Sequence, residues 1–458
     1  MLSRILVLAL FLAPQAEKVS FDQKVLATIP DGILAKDITF FKDGRQVAYR
    51  AMGAGKMYVC VNNTKHPDYQ VISDGLRWSN TGKLAYRVAN GATSFAVIAG
   101  QPGQSFQSVG MPVFSPDGNK YAYECNRGGT NKNDATAWAM NVNGQKGTDW
   151  ASCGQAFWSG DSATVGHYVR IGKAGTPQRP FHTVDAMVIG GKMLGEFEHV
   201  SNPFFAPKGA RWAYRTNTPP NWTMVVDGKS QESASDVGDA IWSPDGQHYA
   251  YRLGSRDAYF MVVDGKKSAS YPELNDPVWS PDGKTCAFVA KADANAGEYI
   301  VYGDRKTDVF SRCYPPVFST DGQHMAYAAR AENGKYMVIL DEKRFPAEFE
   351  AVTPIQISPD GHHVTFGGQW NFRWTCVIDA GRSSMNDIIQ TPVWAPDGKK
   401  VAYAGQQQGK WFVEVNYRRG EDFDEIFTAP VFSADSKKCA YGARKGNELI
   451  WVAVQVAD

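Results

Sequence analysis

Eight histidines, seven cysteines and a recurrent Ser-Pro-Asp-Gly are the features of this sequence whose residue types could do chemistry. Histidines with carboxylates could hold a metal or move a proton; paired cysteines could bind zinc or close a disulfide; a serine beside a base could act as a nucleophile. Their spacing supports none of these roles. His248, His324 and His362 follow the glycine of a repeated turn and read as solvated strand starts. His66, His167, His182 and His199 are dispersed, and nothing in the sequence brings them together on a metal. Among Cys60, Cys125, Cys153, Cys286, Cys313, Cys376 and Cys439 there is no C-x-x-C pair,. Cys286 and Cys439 share a slot before an Ala-aromatic pair and read as small core residues, while a Cys125–Cys153 disulfide stays open,. No G-x-S-x-G, H-E-x-x-H, phosphate loop or dinucleotide fingerprint is present, so no catalytic residue, cofactor or metal site is assigned.

The densest aromatic and basic cluster is Trp370, Phe372, Arg373 and Trp374. Such a group could stack on a sugar ring or grip a peptide. Trp374 aligns with Trp138, Trp222, Tyr259, Tyr299, Tyr336 and Trp411, and a type that recurs in most repeats is a core feature,. Trp370 and Phe372 have no counterparts, and with Arg373 they form the candidate ligand-binding site.

The elements that must position these residues come from an internal repeat. Trp242-Ser243-Pro244-Asp245-Gly246, Trp279-Ser280-Pro281-Asp282-Gly283 and Phe114-Ser115-Pro116-Asp117-Gly118 are clear copies. Others start at Phe40, Trp78, Trp158, Phe205, Phe318, Ile357, Trp394 and Phe432, 36 to 47 residues apart,. Pro-Asp-Gly turns the chain, because proline presets φ, aspartate bonds backbone N–H groups and glycine accepts positive φ. A small–aromatic strand follows, as in Ala250-Tyr251, then a β-rich strand such as Met261-Val262-Val263, then an Asp-Gly hairpin,. Four antiparallel strands in about forty residues is one propeller blade, and no sustained 3.6-residue period competes with that reading. The fold class is all-β, an array of eleven blades.

The W-S-P-D-G-K…A-Y pattern resembles the WD40-like PD40 repeat of TolB-like propellers, of the type found in exported bacterial proteins. The resemblance runs from about residue 22 to the end. Blades of this kind serve binding, scaffolding and enzyme-gating roles alike, so it implies the fold rather than an activity. Thr81 and Lys208 replace the turn aspartate, and Ser162 and Ser436 replace the glycine; the motif aspartates therefore read as turn formers.

The last repeat lacks a fourth strand, and residues 24–29 precede the first repeat without a blade of their own. Pairing of the two would close the array. Eleven blades exceed the usual four to eight per ring. That favours two rings, of five blades (residues 17–236) and six (residues 237–458), over the alternative of one large ring or arc closed by the N-terminal strand. Residues 1–16 read as a signal peptide: Arg4, an apolar run over 5–12 and small residues before Ala16,. The expected location is therefore periplasmic or secreted. With 48 basic against 47 acidic residues and no run of one sign, neither a nucleic-acid partner nor membrane insertion is expected,. The expected function is a non-enzymatic binding or scaffolding module for a protein, peptide or glycan. It would use the variable loops, notably 126–137, 216–221, 291–297 and 367–373. The alternatives are a propeller-type polysaccharide lyase or hydrolase with a histidine–metal site, and a structural envelope component.

Overall fold

The computed structural model describes residues 21–456 apart from 74, 129–136, 177–178, 256–257, 292, 294–296 and 346–347. The proposed signal peptide lies outside these residues, as do parts of the loops at 126–137 and 291–297.

The repeat unit folds as the spacing predicts. In blade 6 the first strand is split (Asp236–Val237, Ile241–Trp242), the second is Tyr249–Ser255, the third Ala258–Val263 and the fourth Lys266–Lys267. All neighbours pair antiparallel in the order first, second, third, fourth. Eleven sheets repeat this plan. Inside the Pro-Asp-Gly turn, Ser243 Oγ donates to Asp245 Oδ1 at 2.5 Å, and the same Oδ1 accepts the Gln247 N–H at 2.9 Å. His248 N–H returns to Ser243 Oγ at 2.9 Å. The Ser–Asp pair thus satisfies the polar groups of a tight turn.

A second clamp sits at the hairpin between third and fourth strands. Asn62, Asn143, Asp227, Asp264, Asp341, Asp379 and Asn416 all have φ between 47° and 53°. The side-chain oxygen of each accepts the N–H of the residue that opens its blade's second strand. Only short Asx side chains combine a left-handed φ with that reach.

Packing between blades fixes the ring. Trp242 Nε1 donates to Phe204 O of blade 5 at 2.9 Å, and Trp279 Nε1 to Ile241 O of blade 6 at 3.0 Å. First strands of consecutive blades therefore lie side by side around the axis, and fourth strands form the outer rim. Outside, Lys267 pairs with Glu232 of the preceding blade at 2.9 Å and Arg344 with Asp308 at 2.5 Å. These charges also guard exposed strand edges. Between the two layers, each of the eleven hydrophobic clusters among the described residues joins one blade to the next. One spans blades 5 and 6 (Met224, Val226, Tyr251, Val262). Another spans blades 11 and 1 (Leu26, Leu449, Val47, Tyr49).

The blades thus form a single cycle of eleven, which corrects the expectation of two rings divided near Asp236. That expectation rested on typical blade numbers, whereas the wedge of each interface sets the actual count. The closure by the N-terminal strand is present: Phe21–Thr28 pairs antiparallel with Glu448–Gln455, from Phe21 opposite Val454 to Thr28 opposite Glu448. It supplies the fourth strand of blade 11.

Candidate functional site

Two details of the sequence reading change once the blades are aligned in space. The histidine slot is occupied by His248, His324 and His363, not His362. Their Nδ1 atoms lie 2.6, 2.9 and 2.6 Å from Asp264, Asp341 and Asp379, so they tie turn to hairpin rather than standing free in solvent. The slot of Trp374 is held in blade 7 by Glu298, with Tyr299 one residue out of register; Trp374 bridges Asn386 as Glu298 bridges Phe310. Trp374 itself packs against the core between blades 9 and 10, as expected of a recurring residue.

Trp370, Phe372 and Arg373 come together at one hairpin tip. Trp370 ends the second strand of blade 9 (Val364–Trp370), and Arg373 opens the third (Arg373–Ile378) directly opposite it. Asn371 and Phe372 form the two-residue turn, with φ of 48° and 62°,. The equivalent turns of blades 1 and 10 are Ala54-Gly55 and Gln408-Gly409, with glycine where blade 9 has phenylalanine. A bulky side chain in this region of φ costs about 1–2 kcal/mol. Phe372 is 88% exposed and Trp370 48%, so packing does not recover that cost. Tyr417, also at a φ of 62°, differs: its hydroxyl lies over Gly381 of the neighbouring blade, so closely that a Cβ there would be 2.8 Å away.

Charged side chains border the tip. Lys335 of blade 8 bonds Glu350 Oε1 at 3.0 Å. That ammonium, and then the backbone N–H groups of Phe372 and Asn371, keep the Glu350 carboxyl below its ordinary value,. Arg373 Nη2 donates to Met385 O at 3.0 Å and lies 3.3 Å from Asp387. Beside this tip blade 8 presents Tyr314 and Tyr336, with ring centroids 5.4 Å apart and hydroxyls 3.3 Å apart. Arg312 lies 5.6 Å from the Tyr314 ring and directly opposite Arg330 on the next strand. In the sequence Tyr336 reads as a recurring core residue, and Tyr314, Arg312 and Arg330 look ordinary until blade 8 is set next to blade 9. A cavity of ≈ 240 Å³ between the same blades is lined by Tyr314, Pro315, Pro354 and Ile355.

The four dispersed histidines do not meet. His66 Nδ1 lies 2.9 Å from the Tyr86 hydroxyl near blades 1 and 2, and His167 is buried in blade 4. His182 lies opposite Lys173 in the long hairpin of blade 4, and His199 is in blade 5, 3.8 Å from Asp185. Among the described residues no three His, Cys, Asp or Glu side chains are grouped to hold a metal. All seven cysteines are free; Cys125 and Cys153 belong to different inter-blade clusters, and burial pushes the Cys125 thiol up to about 11.

Fold and site together define an all-β propeller of eleven four-stranded blades. Neither the protein-family models nor the curated proteins yield a match. Among solved structures, the Dos1 propeller is similar at 11% identity and a TM-score of 0.32, over 66% of this chain and 91% of that one. TolB from Acinetobacter baumannii is similar at 14% identity and a TM-score of 0.26, over 63% and 81%. The hydrazine synthase of Kuenenia stuttgartiensis is similar at 16% identity and a TM-score of 0.27, over 57% and 95%.

Proposed function

We propose that this chain is an exported, TolB-like binding or scaffolding propeller that takes a peptide, protein or glycan at the blade 8–9 sector of its variable face. Phe372 carries the reading: an exposed aromatic held at positive φ where sister turns use glycine. Backbone strain that packing does not explain collects at functional sites. Trp370 adds a second ring, and Arg373 a cation fixed by Asp387. An aromatic tip flanked by cations suits the face of a sugar or an aromatic or acidic peptide side chain. The test is a glycan array and a peptide library probed with the protein and with Phe372→Gly. Ligands of this site lose at least about tenfold in affinity in the variant. Ligands indifferent to both Phe372→Gly and Trp370→Ala would exclude the sector. Export is tested separately: N-terminal sequencing of protein recovered outside the cytoplasm should begin at Glu17.

A further inference from the structure

One interface departs from the others in its core. The second strand of every blade places an aromatic or imidazole ring in the same slot: Tyr49, Tyr86, Tyr123, Tyr214, Tyr251, Tyr327, Tyr403 and Tyr441, with Phe288 in blade 7, Phe366 in blade 9 and His167 in blade 4. His167 is only 6% exposed, and its Nδ1 has no hydrogen-bond partner. A buried polar nitrogen left unsatisfied is costly and calls for a partner. The His167 residue is among those lining a cleft of ≈ 440 Å³ between blades 3 and 4, whose walls include Trp150, Trp158, Met140, Val142 and Val188. That volume is within the range of small-molecule sites, and the apolar wall is bordered by Lys120, Asn143, Thr148 and Thr164 as well as His167,. Trp158 spends its indole N–H on Val113 O at 3.0 Å, so its contribution to the cleft is apolar.

The corresponding cleft between blades 6 and 7 is a built-in control. It is nearly the same size, ≈ 460 Å³, with Trp279 and Tyr271 in the places of Trp158 and Trp150. Its ring in the slot is Phe288, which needs no partner, and its rim carries Lys266, Lys267, Lys284, Arg305 and Lys306. The wedge between blades therefore makes the space. In the first cleft the same slot holds His167 instead of a phenylalanine.

We infer that the cleft between blades 3 and 4 is a second binding site, separate from the blade 9 tip, for a phenol-sized aromatic ring whose hydroxyl hydrogen-bonds His167. Burial keeps the imidazole neutral, so it meets a hydroxyl as either donor or acceptor,. The ring could belong to a free phenol or to a tyrosine side chain. Saturation-transfer NMR with 4-methylphenol, N-acetyltyrosinamide and toluene tests this on the full chain. Both phenols should bind saturably and toluene at least about tenfold more weakly. If only 4-methylphenol binds, the source is a free phenol; if both do, a tyrosine fits as well. His167→Phe, which copies blade 7, should abolish the preference for phenol over toluene while the circular dichroism stays unchanged. Thr148→Trp, an exposed wall residue, should block all three probes and so guards against a folding effect in the first variant. Absence of saturable phenol binding, or an undiminished phenol preference in His167→Phe, would overturn the proposal.

Discussion

His167 and Phe372 are single residues at odds with their repeat, and each carries a prediction. Burial lowers the His167 pKa to about 4. Its folded-state value is depressed, so the unfolded chain binds the proton more readily. Stability from this residue is complete above the unfolded value near 6.5 and is lost as pH falls towards 4. The loss is on the order of 3 kcal/mol at about 1.4 kcal/mol per unit. Thermal unfolding followed from pH 7 to pH 4 should show a decline that His167→Phe reduces, the remainder belonging to His66, whose pKa burial also lowers; the same decline in both proteins would refute the assignment. Phe372→Gly works in the opposite sense to a usual core change. Removing a left-handed phenylalanine should raise stability by about 1 kcal/mol, read as a higher Tm, while binding at the tip falls.

At the scale of the element, the two side-chain clamps decide whether a blade forms. Ser115, Ser159, Ser243, Ser280, Ser319, Ser358 and Ser433 each donate to the turn aspartate two residues on. Those hydroxyls, and then the backbone N–H two residues further, hold seven aspartates below their ordinary value. Their folded-state values are depressed, so they contribute stability above the unfolded carboxyl value near 4 that is lost as pH drops further. The acid limb should therefore lie below that of His167 and survive His167→Phe, which a pH titration of Tm separates. At the hairpin, Asp264→Asn should leave stability within about 0.5 kcal/mol, since blades 1, 3 and 10 use asparagine there, whereas Asp264→Ala should cost about 1–2 kcal/mol by denaturant unfolding. These clamps were legible in the sequence because Ser-Pro-Asp-Gly and Asp-Gly act over two or three residues. Residues 367–373 read as a variable loop, whereas strands run up to Trp370 and on from Arg373, leaving only a two-residue turn. Tyr314, Tyr336 and the cleft at His167 were not legible, because they depend on which blade lies beside which. Nor did the repeated turns look promising, yet the cleft opens beside residues of that face, Thr164 and Gly190 among them.

At the scale of the molecule, the number of blades was readable and the number of rings was not. Repeat length counts blades, but ring size follows from a small angle at each interface, summed around the axis, which no local motif encodes. Electron microscopy of the purified protein should show one ring of eleven blades; two smaller discs would contradict the interfaces formed by Trp242 and Tyr49. Closure rests on strand pairing as well as face packing. Ala27 is fully buried in that seam, so Ala27→Arg should cost about 3–5 kcal/mol and expose an edge that pairs between molecules,. Size-exclusion chromatography would register the higher-order species.

The antiparallel pairing of Phe21 with Val454 also sets the first and last described strands next to one another at the outer edge of one blade. The ring therefore has no structurally privileged starting point. A circular permutant, with the old ends joined by a short linker and new ends cut between two other blades, would keep every interface while making all eleven sheets covalently whole. Comparing it with the parent isolates what borrowing a strand across the gap adds to closing a circle.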